Sequence, residues 1–549
     1  MVAFLEKNGL QHGEAAVRGE GRVRELGWSC DSKVLLVWRE RGEGSSTIQL
    51  WTTSNYHWYL KATLEEQGEV VAPCWSSEDP TSLRYVVREA QEEVVVTVTL
   101  AWGTDTGGEL STVAVVDGSV VKLTPFREVV VPPPSSALEL EVGEQVQEVA
   151  FPTPGEEGEQ GVLATAARED NSLLVVTRGG ICVFEVGEGE EEAEGGGVKV
   201  TGAGGNGFTV RCSRWRLVAR LACAAMAGLV GVAWVGSRLV AASRTSTEVV
   251  VLQQVEGEVV EVERLPVEAR VWLVAGRAGG AVVQLEGGAL LEVGWQGGEV
   301  SITPMESFPG TCDTMAVTEV GVVGVTTRHK LVLGDKEVGS GVTSMVVSPP
   351  HLVATTTDHR LLTRHLATLG GPGAWAEGGS RRVERGSRLV AVVPRHCRTV
   401  LQMPRGNLEV VQPRALAISM LAALLDARHY SQAYLLARRQ RMNLNLLTDH
   451  DPAAFLAGLP ELVAQLADKP EQVAVFVAEL GEEDVCTTMY SDYYPSRGGD
   501  QPGKVARICR QVSCCWSLAL TLPCSCGRRW SGRTLVWGAW ASSRCSPPS

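Results

Sequence analysis

Three groups of residues in this 549-residue chain have types that carry chemistry, yet none has both the spacing and the context the chemistry needs. Gly202 to Gly207, GAGGNG, satisfies GxGxxG. Pyrophosphate binding requires that loop between a strand and a helix, so that the phosphates meet the helix N-terminus. The next residues, FTVRCSRW, alternate like a strand, so these are read as turn glycines. His351, Asp358, His359 and His365 are near in sequence and are of metal-binding or acid/base type, but they lie on or beside strand-like runs and are read as scattered surface groups. Cys514, Cys515, Cys524, Cys526 and Cys545 lack CxxC pairing, and no histidine occurs after His450, which argues against a closed zinc site. No Walker loop, GxSxG elbow, HExxH or CxxxCxxC cluster occurs. No catalytic residue, cofactor or metal is therefore expected.

Basic residues cluster once, as Arg414, Arg428, Arg438, Arg439 and Arg441, with Asp426 among them. Guanidinium groups pair well with phosphate and carboxylate, which makes the cluster a candidate partner-facing patch. The competing reading is a solvated helix face whose last-turn arginines oppose the helix dipole. Arg405, Gly406 and Asn407 read as a hairpin turn.

These residues sit in a chain too long for one core, so two to four domains are expected. Hydrophobic content is 44% and the net charge is −14. An acidic body repels phosphate backbones, so nucleic-acid binding would need a local basic patch. The start, MVAFLEKNGL, lacks the basic and apolar regions of a signal peptide. Cysteines before Cys509 are scattered singly and read as reduced, mostly buried thiols. Leu221 to Gly236 is uncharged, but falls short of the roughly 20 residues a membrane helix needs and reads as buried strand.

From Val2 to about Gln412, apolar runs such as VLLVW (34 to 38), LLVVT (173 to 177) and HLVATTT (351 to 357) alternate with turn residues. With no helical pattern between the runs, the region reads as all-β. Its length favours radial repetition of blades over one enlarged core, and GSRLVA at 236 to 241 returns at 386 to 391 as a weak echo. FREVVVPPP, Phe126 to Pro134, reads as a break between two β units, because prolines remove ladder donors. EGEEEAEGGG, 188 to 197, reads as a solvated acidic loop. Beyond Pro413 the spacing is helical: Leu416, Met420, Leu421 and Leu424 share a face, then Ala433, Leu436 and Ala437, as an αα-hairpin joined near Arg428 to Ser431. Asp451 and Pro452 form a helix start, and Pro460 and Pro470 are expected to open later short helices of a solenoid.

Several blocks in order, VERGSRLVAVVP, VLQMPRGNLEVV, RALA and RMNLNLLTDHDP, resemble the largest, scaffold subunit of the Elongator complex, at the joint between its second β-propeller and a helical solenoid. The resemblance implies a WD40-like all-β propeller followed by an α-solenoid of TPR-like helical repeats. Residues 1 to 126 are then the last part of a first propeller, 127 to 412 a second propeller, and 413 to 512 the start of the solenoid. Residues 513 to 549, rich in Cys and Trp, form a divergent tail that is not native-like, from a misread intron or shifted frame, or else an isoform end. By resemblance the chain is a non-catalytic scaffold supporting carboxymethyl-type modification of wobble uridine in cytoplasmic tRNA. Its partners are then the catalytic radical-SAM and acetyltransferase subunit and a second propeller-containing subunit, with no membrane. tRNA is met indirectly or through regions missing here, the family's dimerisation region is expected to be missing too, and the location is cytoplasmic with a nuclear fraction. The arginine cluster becomes partner- or tRNA-facing. A propeller-solenoid trafficking coat or tether shares the layout and is the alternative.

Overall fold

The computed structural model describes residues 1 to 521 apart from short segments, the longest being 100–105, 188–197, 372–379 and 495–503. Two compact units result, Met1–Val411 and Gln412–Ser549. The division falls where the periodicity changes from strand to helix.

Seven consecutive sheets make a ring in the first unit, blades 1 to 7 at residues 106–141, 146–222, 229–266, 271–304, 312–340, 342–382 and 388–411, all antiparallel except that Pro152–Thr153 adds to blade 3 in parallel. Each strand is a short β-branched run, and each tight turn is supplied by residues that accept unusual backbone, such as Gly118 at φ 73° between Thr112–Asp117 and Val120–Pro125. One blade alone cannot bury both faces, so each packs on the next. Val121 and Leu123 of blade 1 meet Val149 and Val175 of blade 2. Val176 and Val183 of blade 2 meet Leu239 and Val250 of blade 3. Val240 and Val251 continue onto Val283 and Val293 of blade 4, and the pattern repeats through blades 5 and 6. Each such side chain contributes about 1.5 to 3 kcal/mol when buried.

The ring closes on itself. Ala391, Val393 and Val400 of blade 7 share a core with Val113 and Phe126 of blade 1. Polar contacts latch the same seam: Arg127 donates to the Pro394 carbonyl at 2.7 Å, and Arg398 to the Phe126 carbonyl at 2.6 Å. Closure covers the apolar blade faces that an open stack would leave exposed, and only short outer edges remain.

Two expectations change here. The break expected at Phe126 to Pro134 is a loop inside blade 1, because Leu138–Glu141 returns to pair with Val120–Pro125. The prolines do take the chain out of the ladder, but Phe126 stays in the closure core. The ring thus begins before residue 126. The GSRLVA echo also occupies unlike positions, crossing from the first to the second strand of blade 3 but entering the first strand of blade 7.

Before the ring lie a hairpin (Val2–Leu5 with Gln11–Ala15) and two sheets, at 22–66 and 69–99. They stack in order through Leu35, Val37 and Leu60, then Leu36, Leu50, Leu83 and Tyr85. The last strand, Glu92–Thr99, leaves Val94 54% and Val95 70% exposed. Polar groups of the 22–66 sheet and of Arg18 just before it tie this region to blade 1. Arg18 pairs with Asp117 at 2.8 Å, the Leu60 amide donates to the same carboxylate at 3.1 Å, and Lys61 Nζ donates to the Val116 carbonyl at 2.8 Å. Burial alone would raise the Asp117 carboxyl, but His57, the Leu60 amide and Arg18 bring it down to about 2. Burial lowers Lys61 to about 8 against the opposing charge of Asp117.

Leu221 to Gly236 contains parts of two strands, Trp215–Ala222 and Leu229–Val235, and no helix among the described residues is long and apolar enough to cross a membrane. Eight cysteines are described; six are buried, and Cys30 and Cys74 are exposed.

One short helix, α1 (Val162–Arg168), lies within blade 2. The second unit is helical: α2 (Arg414–Asp426), α3 (Tyr430–Arg439), α4 (Leu446–Asp449), α5 (Pro452–Gln465), α6 (Pro470–Ala478) and α7 (Lys504–Thr521). Asp451 caps α5, accepting from the Ala453 and Ala454 amides at 3.0 Å, and Pro452 takes the first turn. Pro470 opens α6 as expected. Pro460 does not open a helix; it lies inside α5. Its missing N–H leaves the Leu456 carbonyl four residues back without the usual donor, and Gln511 Nε2 of α7 supplies one at 3.1 Å. The tail expected to diverge at Ser513 begins within α7, whose side chains are described only to Val512.

Candidate functional site

The αα-hairpin of α2 and α3 carries all five arginines of the basic cluster, and all five are exposed. It buries Leu416, Leu421 and Leu425 on one helix and Ala433, Tyr434 and Ala437 on the other. The hairpin separates the arginines into two sites. Arg438 and Arg439 lie in the last turn of α3, Arg441 comes just after it, and Arg414 opens α2 and donates to the Gln440 carbonyl at 2.8 Å. Arg428 is in the turn at the other end, one length of α2 away, about 20 Å at 1.5 Å per residue. Two of the five are already paired, Arg428 with Glu461 at 2.9 Å and Arg438 with Glu479 at 3.2 Å. Both pairs are about half exposed, so they are weak and a phosphate or carboxylate can replace the partner at little cost. Arg414 satisfies a carbonyl at the C-terminus of α3, and Arg438 and Arg439 stand in that helix's last turn, the dipole-opposing place weighed from sequence.

The RMNLNLLTDHDP block, rich in groups that could do chemistry, spends them on structure. Asn445 Nδ2 donates to the Glu479 carbonyl at 2.9 Å and its Oδ1 accepts from the Gly481 amide at 2.8 Å. His450 joins Tyr494 at 3.1 Å to Asp426 at 2.9 Å through its two ring nitrogens. Asp449, with a side chain only 2% exposed, holds Lys504 Nζ at 2.9 and 3.1 Å and accepts from the Val485 amide at 3.0 Å and the Thr448 hydroxyl at 2.7 Å. Lys504 also donates to the Glu483 carbonyl at 2.8 Å. These bonds clasp α4, the turn after α6 and the start of α7. Such a site positions helices; its acids and bases face each other and not a cleft.

The remaining candidates from the sequence have structural places of their own. His351 and His365 are cross-strand partners in blade 6, their rings 5.5 Å apart. Burial, reinforced by the charge of His365, lowers His351 to about 4, while His359 sits in the intervening turn at φ 60°. No group of three or more potential metal ligands occurs among the described residues. GAGGNG lies outside the described residues except Gly207, which opens a strand, Gly207–Val210, as its downstream pattern suggests. The acidic loop at 188 to 197 and the five tail cysteines beyond Gln511 are likewise outside the description of side chains. Arg405 to Asn407 do form the turn between Thr399–Gln402 and Leu408–Val411, with Gly406 at φ 88°. Sequence reasoning missed the Asp449–Lys504 and Arg18–Asp117 pairs, because their members are 55 and 99 residues apart and carry no local signal.

The comparisons with known proteins agree with this layout. Three family models match in order: the ELP1 first N-terminal beta-propeller at residues 1–78, the ELP1 N-terminal second beta-propeller at 115–390, and the ELP1 alpha-solenoid at 414–517. Elongator complex protein 1 of Mus musculus is 31% identical over 89% of this chain and 40% of that protein. Those of Schizosaccharomyces pombe and Saccharomyces cerevisiae are each 27% identical, over 93% and 89% of this chain and 39% and 36% of theirs. The chain thus spans about two fifths of the length of these relatives. With the second-propeller match alone covering half of its residues, the chain belongs to the Elongator complex protein 1 family.

Proposed function

We propose that this chain is a non-catalytic scaffold of the Elongator complex. In this reading it supports installation of a carboxymethyl-type group on wobble uridine of cytoplasmic tRNA, with radical and acetyl-transfer chemistry on another subunit. The observation that carries the reading is the ordered match of two propeller segments and a solenoid to one family. The closed ring and clasped helices support it physically, since rigid frames hold partners at fixed separations. The division at 1–126, 127–412, 413–512 and 513–549 is proposed with its first boundary moved back to about residue 105, where blade 1 begins. Arg414, Arg438, Arg439 and Arg441 form the partner- or tRNA-facing end of the hairpin, and Arg428 stands apart from it.

Affinity capture of the tagged chain from cytoplasmic extract tests the scaffold role. Recovery of the catalytic radical-SAM and acetyltransferase subunit and of the second propeller-containing subunit supports it; vesicle-coat subunits in their place refute it. Charge reversal at Arg438 and Arg439 lowers recovery of the complex or of tRNA, and reversal at Arg428 does not.

A further inference from the structure

The first strands of successive blades are neighbours and line the axis of the ring. A cavity of about 880 Å³ lies between Val113, Val115, Lys122 and Thr124 of blade 1 and the first strands of blades 5, 6 and 7, with Lys33 and Tyr59 of the 22–66 sheet on its wall. That volume is within the range of sites that engulf a small ligand. Asp313 and Arg388 begin or nearly begin the strands Cys312–Thr318 and Arg388–Val392, and His329 stands in a turn of blade 5 at φ 61°. In a chain of net charge −14, this wall gathers Lys33, Lys122 and Arg388 against the single carboxylate of Asp313, with the His329 imidazole beside them. Cationic groups around a concave, low-dielectric wall focus positive potential inside it.

These cations are only partly committed. Lys33 has a surface partner, Asp31, at 2.8 Å, with its own side chain 66% exposed. His329 uses Nδ1 on the Val342 carbonyl at 3.2 Å. Arg388 is in no ion pair among the described residues; its charge acts on Asp313 through space, as do those of His329 and Lys33. A neutral group with a spare bond is present too: the buried Ser136 hydroxyl on the wall has no hydrogen-bond partner.

We propose that this chamber binds a short extended peptide segment rich in Asp or Glu, its carboxylates meeting Arg388, Lys33 and His329. Charge complementarity selects an anion, and the aromatic side chains select peptide over nucleic acid. Single-stranded nucleic acid needs exposed rings for its bases to stack on, whereas Tyr59 and Phe126 on this wall are 4% and 3% exposed. The proposal stands independently of membership in the Elongator complex.

Fluorescence anisotropy of the full chain with a labelled octapeptide of alternating Asp and Glu provides the test, alongside a labelled eight-nucleotide single strand. Saturable peptide binding is expected, weakened at least tenfold by Arg388→Glu and by Lys33→Glu and weakened by salt. Arg264→Glu, on the outer strand of blade 3, leaves it unchanged. Lys33→Glu carries the decision if Arg388→Glu disturbs the fold, as judged by circular dichroism. Absence of saturable peptide binding, indifference to these substitutions, or an oligonucleotide that binds as tightly with the same dependence on Arg388 overturns the proposal.

Discussion

Replacing Lys504 by Met tests whether the helical unit is held by one buried ion pair. The Lys504 and Asp449 side chains are 5% and 2% exposed, and every polar atom of the pair has a partner. Lys504→Met preserves most of the volume but takes the Lys504 cation away from the Asp449 carboxylate, which keeps the Val485 amide and the Thr448 hydroxyl. Removing one member of a buried pair costs about 3 to 5 kcal/mol, because the remaining charge stays desolvated. The double variant Asp449→Leu/Lys504→Met removes both charges and should recover most of that loss. Since a chain of several domains does not unfold in one step, amide hydrogen exchange at Val485 and within α7 is the suitable readout. At about 1.4 kcal/mol per tenfold, protection there should fall at least a hundredfold in the single variant and much less in the double. A single variant that loses less than about 1 kcal/mol, or a double variant as weak as the single, would refute the assignment of this pair as the clasp.

Two further outcomes rest on particular contacts. His351 titrates near 6.5 when unfolded and about 4 when folded, so the unfolded state binds more protons between those values and stability rises with pH across that window. Protection of blade 6 should therefore be full above pH 6.5 and fall by roughly 3 kcal/mol as pH drops through 4, and His351→Gln should flatten this dependence in hydrogen exchange. Gly458 in α5 is so close to the Tyr430 hydroxyl that an added Cβ would overlap it, so Gly458→Ala should destabilise the helical unit by about 1 to 3 kcal/mol despite the better helix former, read as lost exchange protection in α3 and α5.

Much of the architecture was legible in one dimension because it is local. Short β-branched runs between turn residues announce strands, and the i, i+3, i+4 spacing after Pro413 announces helices, since side-chain periodicity is set by backbone geometry. Asp451 and Pro452 announced a helix start for the same reason. Pro460 misled, because its local signal says start while Gln511, 51 positions onward, satisfies the carbonyl it leaves open. Phe126 to Pro134 misled in the same way: prolines leave the ladder, but Leu138–Glu141 returns to the same sheet and Phe126 stays in the seam with blade 7.

By itself, then, the sequence determined the order of strand and helix, the acidic charge and, through ordered blocks, the family. The tertiary structure alone decided where the ring begins and closes, that five arginines form two sites, and that Asp449 meets Lys504. Periodicity reports which face of an element is apolar, whereas closure, charge pairing and cavities depend on which distant faces meet, and that is settled only when the whole chain packs.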